Sequence, residues 1–123
     1  MDSLTQKGVV LGFFKWFIQM KSFHFMTKIY NRHLNVDKYL EAFSGLYDKF
    51  VEACMGHHGQ VELGSYQLEV GDIDDQNVFR YIDNFRDFLE SLNVVYRENL
   101  DLLNIRDEME AETAKLVYLL KLD

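Results

Sequence analysis

Residues 56–74, GHHGQVELGSYQLEVGDID, constrain the fold most, because they interrupt a chain that is otherwise helical in its apolar period. Upstream, Val10, Phe13, Phe14, Phe17, Met20 and His24 recur at steps of three and four. Val36, Tyr39, Leu40, Phe43, Leu46, Tyr47, Phe50 and Cys54 do the same. Downstream, Val78 to Val95 and Leu102 to Leu120 carry the same period, which is the signature of helices with one face inward. The expected helices cover about 4–29, 31–55, 75–96 and 101–122 in a single domain, 1–123. Asn31 is an N-cap candidate for helix 2 and Asn35 competes with it. Asp74 or Asp75 would cap helix 3, and Asp101 helix 4. Two of the connections are a few residues long, which makes antiparallel neighbours. The third, 56–74, has about 19 residues, unusual for a structureless loop inside a compact domain. It is natural if it travels the length of the bundle, since about ten extended residues cover the ~30 Å of a 20-residue helix.

The expected fold is therefore all-α: two helical hairpins joined by one long crossover between helices 2 and 3, the ferritin-like four-helix bundle. Alternation of Val61, Leu63, Tyr66, Leu68 and Val70 around Gly64-Ser65 offers a weak hairpin signal, and an extended crossing segment fits as well. The chain has no proline, so nothing of that kind breaks its helices. Aromatic residues make up 15% of it, which points to a core rich in Phe and Tyr. A net charge of −7 argues against nucleic acid as a partner and suits a protein that attracts cations. The apolar run 8–20 is broken by Lys15 and is too short for a membrane span. It lacks the basic start and small-residue cleavage site of a signal peptide. Helix 1 nevertheless carries apolar residues on a second side (Trp16, Ile18, Phe23, Phe25), more than a small monomer should expose, which suggests a subunit interface. The single cysteine, Cys54, excludes an internal disulfide and reads as a buried, inert thiol.

Chemistry concentrates in residues 24–52. His33 and Asp37 are four apart, as are Asp48 and Glu52, so each pair shares a helix face. On the helical wheel His33, Asp37, Glu41, Ser44, Asp48 and Glu52 form a stripe along one edge of the apolar one, with Lys38 and Lys49 on the far side. This pattern reads as a set of metal ligands, His24 included. The competing readings are a solvated acidic face and, for His24, a core histidine satisfied by a hydrogen bond. His57 and His58, flanked by glycines, read as exposed loop histidines with no partner at ligand spacing.

The stretch resembles the ferroxidase motif of the Dps family of mini-ferritins. His24-Phe25 is similar to the family's His-aromatic element, with Phe where Trp is usual. His33, Asp37, Asp48 and Glu52 stand at the intervals of its His-x3-Asp-x10-Asp-x3-Glu element. The C-terminal LVYLLKL resembles the end of the last mini-ferritin helix. Leu63-Gly64-Ser65 and Asp101 to Glu108 resemble short uncharacterised ferritin-like proteins of phages and large DNA viruses. The segment between His24 and His33 is shorter than in a typical mini-ferritin. The glycine after the first motif and the arginine after the last are missing, as is the basic tail that some members use on DNA.

The resemblance implies iron, Fe2+, bound by His24, His33 and Asp37 of one subunit and Asp48 and Glu52 of its partner. It further implies a homo-oligomer associated through helices 1 and 2, Fe(II) oxidation and storage, and no role for nucleic acid or membrane. The implied location is the cytoplasm, that of a virus-infected host cell included, or the virion. The alternative from the same ancestry is a non-enzymatic viral structural or accessory bundle without metal chemistry.

Overall fold

The computed structural model describes residues 5–122, and within them four helices and no strand. They are α1 (Gln6–Met26), α2 (Tyr30–His58), α3 (Val78–Val95) and α4 (Leu100–Leu120). The molecule is a four-helix bundle in which α2 packs most extensively on α4 and α1, and α3 packs on α4 and more lightly on α1.

Contacts at the two ends give the helix directions. At one end the Tyr96 hydroxyl, just past α3, donates to Gln6 Oε1 at the start of α1. At the same end His57 in the last turn of α2 meets Asp101 in the first turn of α4. At the other end the Asn31 amide, in the first turn of α2, donates to the carbonyls of Leu119 and Leu122, closing the C-terminus of α4. Packed neighbours in the bundle are thus antiparallel.

Residues 59–74 form no hairpin; they run beside α1 in its own direction and end in a turn, 75–77, before α3. Lys7 Nζ donates to the Ser65 carbonyl. Further along, the Gln19 side chain exchanges two hydrogen bonds, both 2.9 Å, with the main chain of Gly71. At the end, Thr27 and the Lys28 amide donate to Asp75. Side chains of α1 thus satisfy polar groups of a segment that has no ladder of its own. Gly71 leaves room for the Tyr81 hydroxyl, which a Cβ there would displace.

The core is aromatic, as the composition suggested. Phe13, Phe43 and Phe50 are fully buried, and Phe13 meets both of the others edge-on. Trp16 lies flat against Phe85, centroids 4.5 Å apart. Trp16 and Phe23, on the second side of α1, are buried with the first, whereas Ile18 and Phe25 stay exposed. Gly12 lets α3 come close, since a Cβ there would sit 2.5 Å from the Phe88 ring.

Polar groups inside the bundle are matched. Among the described residues no buried side-chain nitrogen or oxygen lacks a partner. Trp16 Nε1–H donates to the Tyr39 hydroxyl, which donates to Thr113 Oγ1, which donates to the Met109 carbonyl. That chain links α1, α2 and α4 through the core. Among the described residues no helix is long and apolar enough to cross a membrane.

Several capping expectations are corrected. Thr5 caps α1 by accepting from the Gly8 amide. Helix α2 begins at Tyr30 after Ile29, with Asn31 inside it and spent on α4. Of the two candidates before α3, Asp74 does the capping: its carboxylate accepts from the Gln76 and Asn77 amides and its carbonyl from the Val78 amide, while Asn77, the residue next to the helix, makes no side-chain capping bond. Asn99, not Asp101, is the N-cap residue of α4. His57 and His58 belong to the last turn of α2 and not to a loop.

Candidate metal site at the α1–α2 turn

Three residues, Thr27 to Ile29, connect α1 to α2. So short a turn brings the last turn of one helix against the first turn of the next. His24 and His33 face each other across it with stacked rings, centroids 4.0 Å apart and planes 19° apart. The His24 Nδ1 lies 2.9 Å from the His33 carbonyl, and the His33 Nδ1 lies 2.9 Å from the His24 carbonyl. A carbonyl oxygen can only accept, so each Nδ1 carries the proton. In the neutral rings both Nε2 lone pairs are then free. This is the tautomer of a metal-ligating histidine oriented by a main-chain carbonyl.

The pair sits in an apolar surround. Phe25 meets the His24 ring edge-on and Tyr30 stacks over His33, yet these two are 72% and 74% exposed. Ile18, Met26 and Leu34 are exposed as well. Asp37, one turn beyond His33, is exposed and has Lys21 Nζ 3.9 Å away, and Lys21 also lies over the Phe25 ring.

Asp48 and Glu52 are exposed on α2. Asp48 is 15 residues beyond His33, or about 22 Å along the helix. The fold thus brings His24 and His33 together with Asp37 close by, and leaves Asp48 and Glu52 remote within the same chain. Among the described residues, no group of three or more His, Cys, Asp or Glu side chains of a single chain could hold a metal ion.

What holds the turn was not expected from sequence. Asp75 accepts from the Thr27 hydroxyl and the Lys28 amide, and its carboxylate also meets Arg32 Nη1 at 3.2 Å. Arg32 in turn donates to the carbonyls of Asp75 and Leu120 and lies over the Phe79 ring. Burial by itself would raise the Asp75 carboxyl. The Thr27 hydroxyl, the Lys28 amide and Arg32 together outweigh it and hold the group below its usual range. A carboxyl depressed in the folded state stabilises the fold above its unfolded value, about 3.9, and that contribution is lost as pH falls through the folded value. Urea midpoints measured downward from pH 5 should therefore fall below about pH 4, and fall less steeply for Asp75→Asn.

His57 Nε2 lies 2.8 Å from Asp101 at the far end of the bundle, and the hydrogen bond from His57 lowers the Asp101 carboxyl. Nothing in the spacing of the two residues reveals that pairing. Nearby, burial pushes the Cys54 thiol up, which keeps it protonated and unreactive.

Fold and site together define an all-helical bundle with a preset pair of histidines on an apolar face. Residues 24–120 match the family of unknown function DUF5856, and the chain belongs to that family. No curated protein and no solved structure matches it.

Proposed function

We propose that this chain is a ferritin-like iron-binding protein of the mini-ferritin type, oxidising Fe(II) at sites that a second copy completes. One observation carries the reading: both imidazoles spend Nδ1 on a main-chain carbonyl, which reserves Nε2 of His24 and His33 for a ligand. The path of residues 59–74 alongside α1 supports the ferritin-like topology with one long crossover.

Imidazole and carboxylate donors suit Fe(II). His33 and Asp37 lie at one end of α2 with His24 opposite on α1, while Asp48 and Glu52 lie about 22 and 28 Å beyond His33 along the helix. A two-fold axis that runs two α2 helices past each other brings the acids of one copy to the histidines of the other. The exposed Phe25, Met26, Tyr30 and Leu34 would be the apolar part of that contact. In this reading the histidines contribute neutral nitrogen, and the carboxylates supply negative charge that favours the Fe(III) product. Each Fe(II) gives up one electron to peroxide or dioxygen. The acidic surface concentrates the cation.

The test is an anaerobic Fe(II) titration of purified protein, with oxidation followed optically after peroxide is added, alongside its solution mass. We expect a dimer or larger assembly, saturable Fe(II) binding, and loss of both binding and oxidation in Asp48→Ala/Glu52→Ala and in His24→Ala/His33→Ala. Co-refolding these two inactive variants should restore part of the activity, since each mixed dimer regains one complete site. A monomer without iron-dependent absorbance would sink the proposal.

The second reading is a non-enzymatic bundle of the same ancestry. The approach of Lys21 to Asp37 favours it, because that carboxylate already faces a cation. It predicts association that is unchanged by iron and by the Asp48→Ala/Glu52→Ala substitutions.

A further inference from the structure

We infer that Asp75 is the positioning residue of the histidine pair: its carboxylate buckles the α1–α2 turn and so sets the tautomer and stacking of His24 and His33. The observation is a juxtaposition across 43 or more positions of sequence. One carboxylate takes donors from the three-residue turn itself, Thr27 and the Lys28 amide, and from Arg32 in the first turn of α2. The anchored stretch 27–32 lies between the two histidines, with His33 directly following Arg32. On its other side Arg32 is held by the Leu120 carbonyl, and Asn31 by those of Leu119 and Leu122. The α4 terminus thus fixes the start of α2, and Asp75 fixes the end of α1 relative to it.

The pair is sensitive to that setting for a geometric reason. Each ring takes its acceptor from the other's main chain. A rotation at the turn that lengthens one of these bonds moves the second ring's acceptor as well. Both bonds are made together or lost together. Free of them, neutral imidazoles are no longer held with the proton on Nδ1. Lys7 and Gln19 hold the preceding segment against α1 at Ser65 and Gly71, away from the turn, so only Asp75 joins it to the stretch between the histidines.

The consequence for metal binding rests on the function proposed above, whereas the consequence for tautomer does not. The experiment therefore reads both. Protein labelled with 15N-histidine is examined by long-range proton–nitrogen correlation, without metal, as wild type, Asp75→Ala, Asp75→Asn and Gln19→Ala. Each is then titrated with Co(II), followed by its visible absorption. Gln19→Ala releases the same segment at Gly71 and serves as the control for a merely structural effect. In the wild type and in Gln19→Ala both imidazoles should show the Nδ1–H tautomer. In Asp75→Ala both should become tautomer mixtures, with Co(II) affinity lower by about tenfold or more, the usual effect of losing an orienting partner. Asp75→Asn keeps an acceptor oxygen without the charge and should fall between, and it decides the matter if the alanine variant does not fold.

Tautomers unchanged in a folded Asp75 variant overturn the inference, as does an equal shift in Gln19→Ala. Tautomers that shift only in the Asp75 variants, with no Co(II) bound even by wild type, uphold the positioning role and overturn the metal reading. Unchanged tautomers with tight Co(II) binding throughout do the reverse.

Discussion

Phe13→Ala is expected to remove about 3–5 kcal/mol of stability, the range for deleting a fully buried phenyl ring. The ring is 0% exposed and lies edge-on to Phe43, Phe50 and Phe88, at 6.2, 5.3 and 5.6 Å between centroids. It also stacks at 6.3 Å on Tyr47. These neighbours come from two other helices, so the space cannot close by moving one element. Against a typical domain stability of 5–15 kcal/mol, the loss leaves a marginal protein. Urea unfolding followed by far-ultraviolet circular dichroism measures it. Phe25→Ala is the internal comparison. That ring is mostly exposed and its removal should change stability by no more than about 0.5 kcal/mol at protein concentrations too low for self-association. Equal losses from the two substitutions would contradict the assignment of core and surface on α1.

The second large effect comes from deleting one oxygen. Tyr39→Phe keeps the ring but breaks the chain of donors through the core. Trp16 Nε1–H is left without its acceptor and Thr113 Oγ1 without its donor. Stranding a buried donor costs about 1–3 kcal/mol. Burial pushes the Tyr39 hydroxyl far up, ahead of the hydrogen bonds it makes with Thr113 and Trp16, which oppose it, so it remains protonated and able to donate. The same unfolding measurement checks the cost. A double-mutant cycle with Trp16→Phe sharpens it. Once the tryptophan N–H is gone, the hydroxyl has less to satisfy, and the double variant should lose less than the sum of the two. Additivity would mean that the hydrogen bond contributes nothing measurable.

The apolar period was sufficient to place four helices, because each buries one stripe and the stripe repeats at helical spacing. Ends were less legible. Asn31, Asp75 and Asp101 are the residue types that cap helices, and each is used on another element: α4's last carbonyls, the α1–α2 turn and His57, respectively. Local chemistry says that such a side chain wants a main-chain partner, and only the packed bundle says which. The helical state of His57 and His58 was hidden by the glycines on either side, since α2 runs through Gly56 and stops at Gly59, which adopts positive φ. At the candidate site, spacing singled out His24 and His33, but their reciprocal bonds depend on a turn whose geometry is set by a residue from another segment. The separation of Asp48 and Glu52 from that pair is simple helix arithmetic, legible in advance.

Trp16 is the chain's only tryptophan, and its placement gives the protein an optical consequence. The indole is buried on α1, stacked on a ring of α3 and bonded to a hydroxyl of α2. Its emission therefore originates from the point where three of the four helices meet. Any event that loosens one of them, whether a denaturant, a bound cation or the docking of a second copy, reaches the same chromophore, and a single wavelength follows the integrity of the bundle.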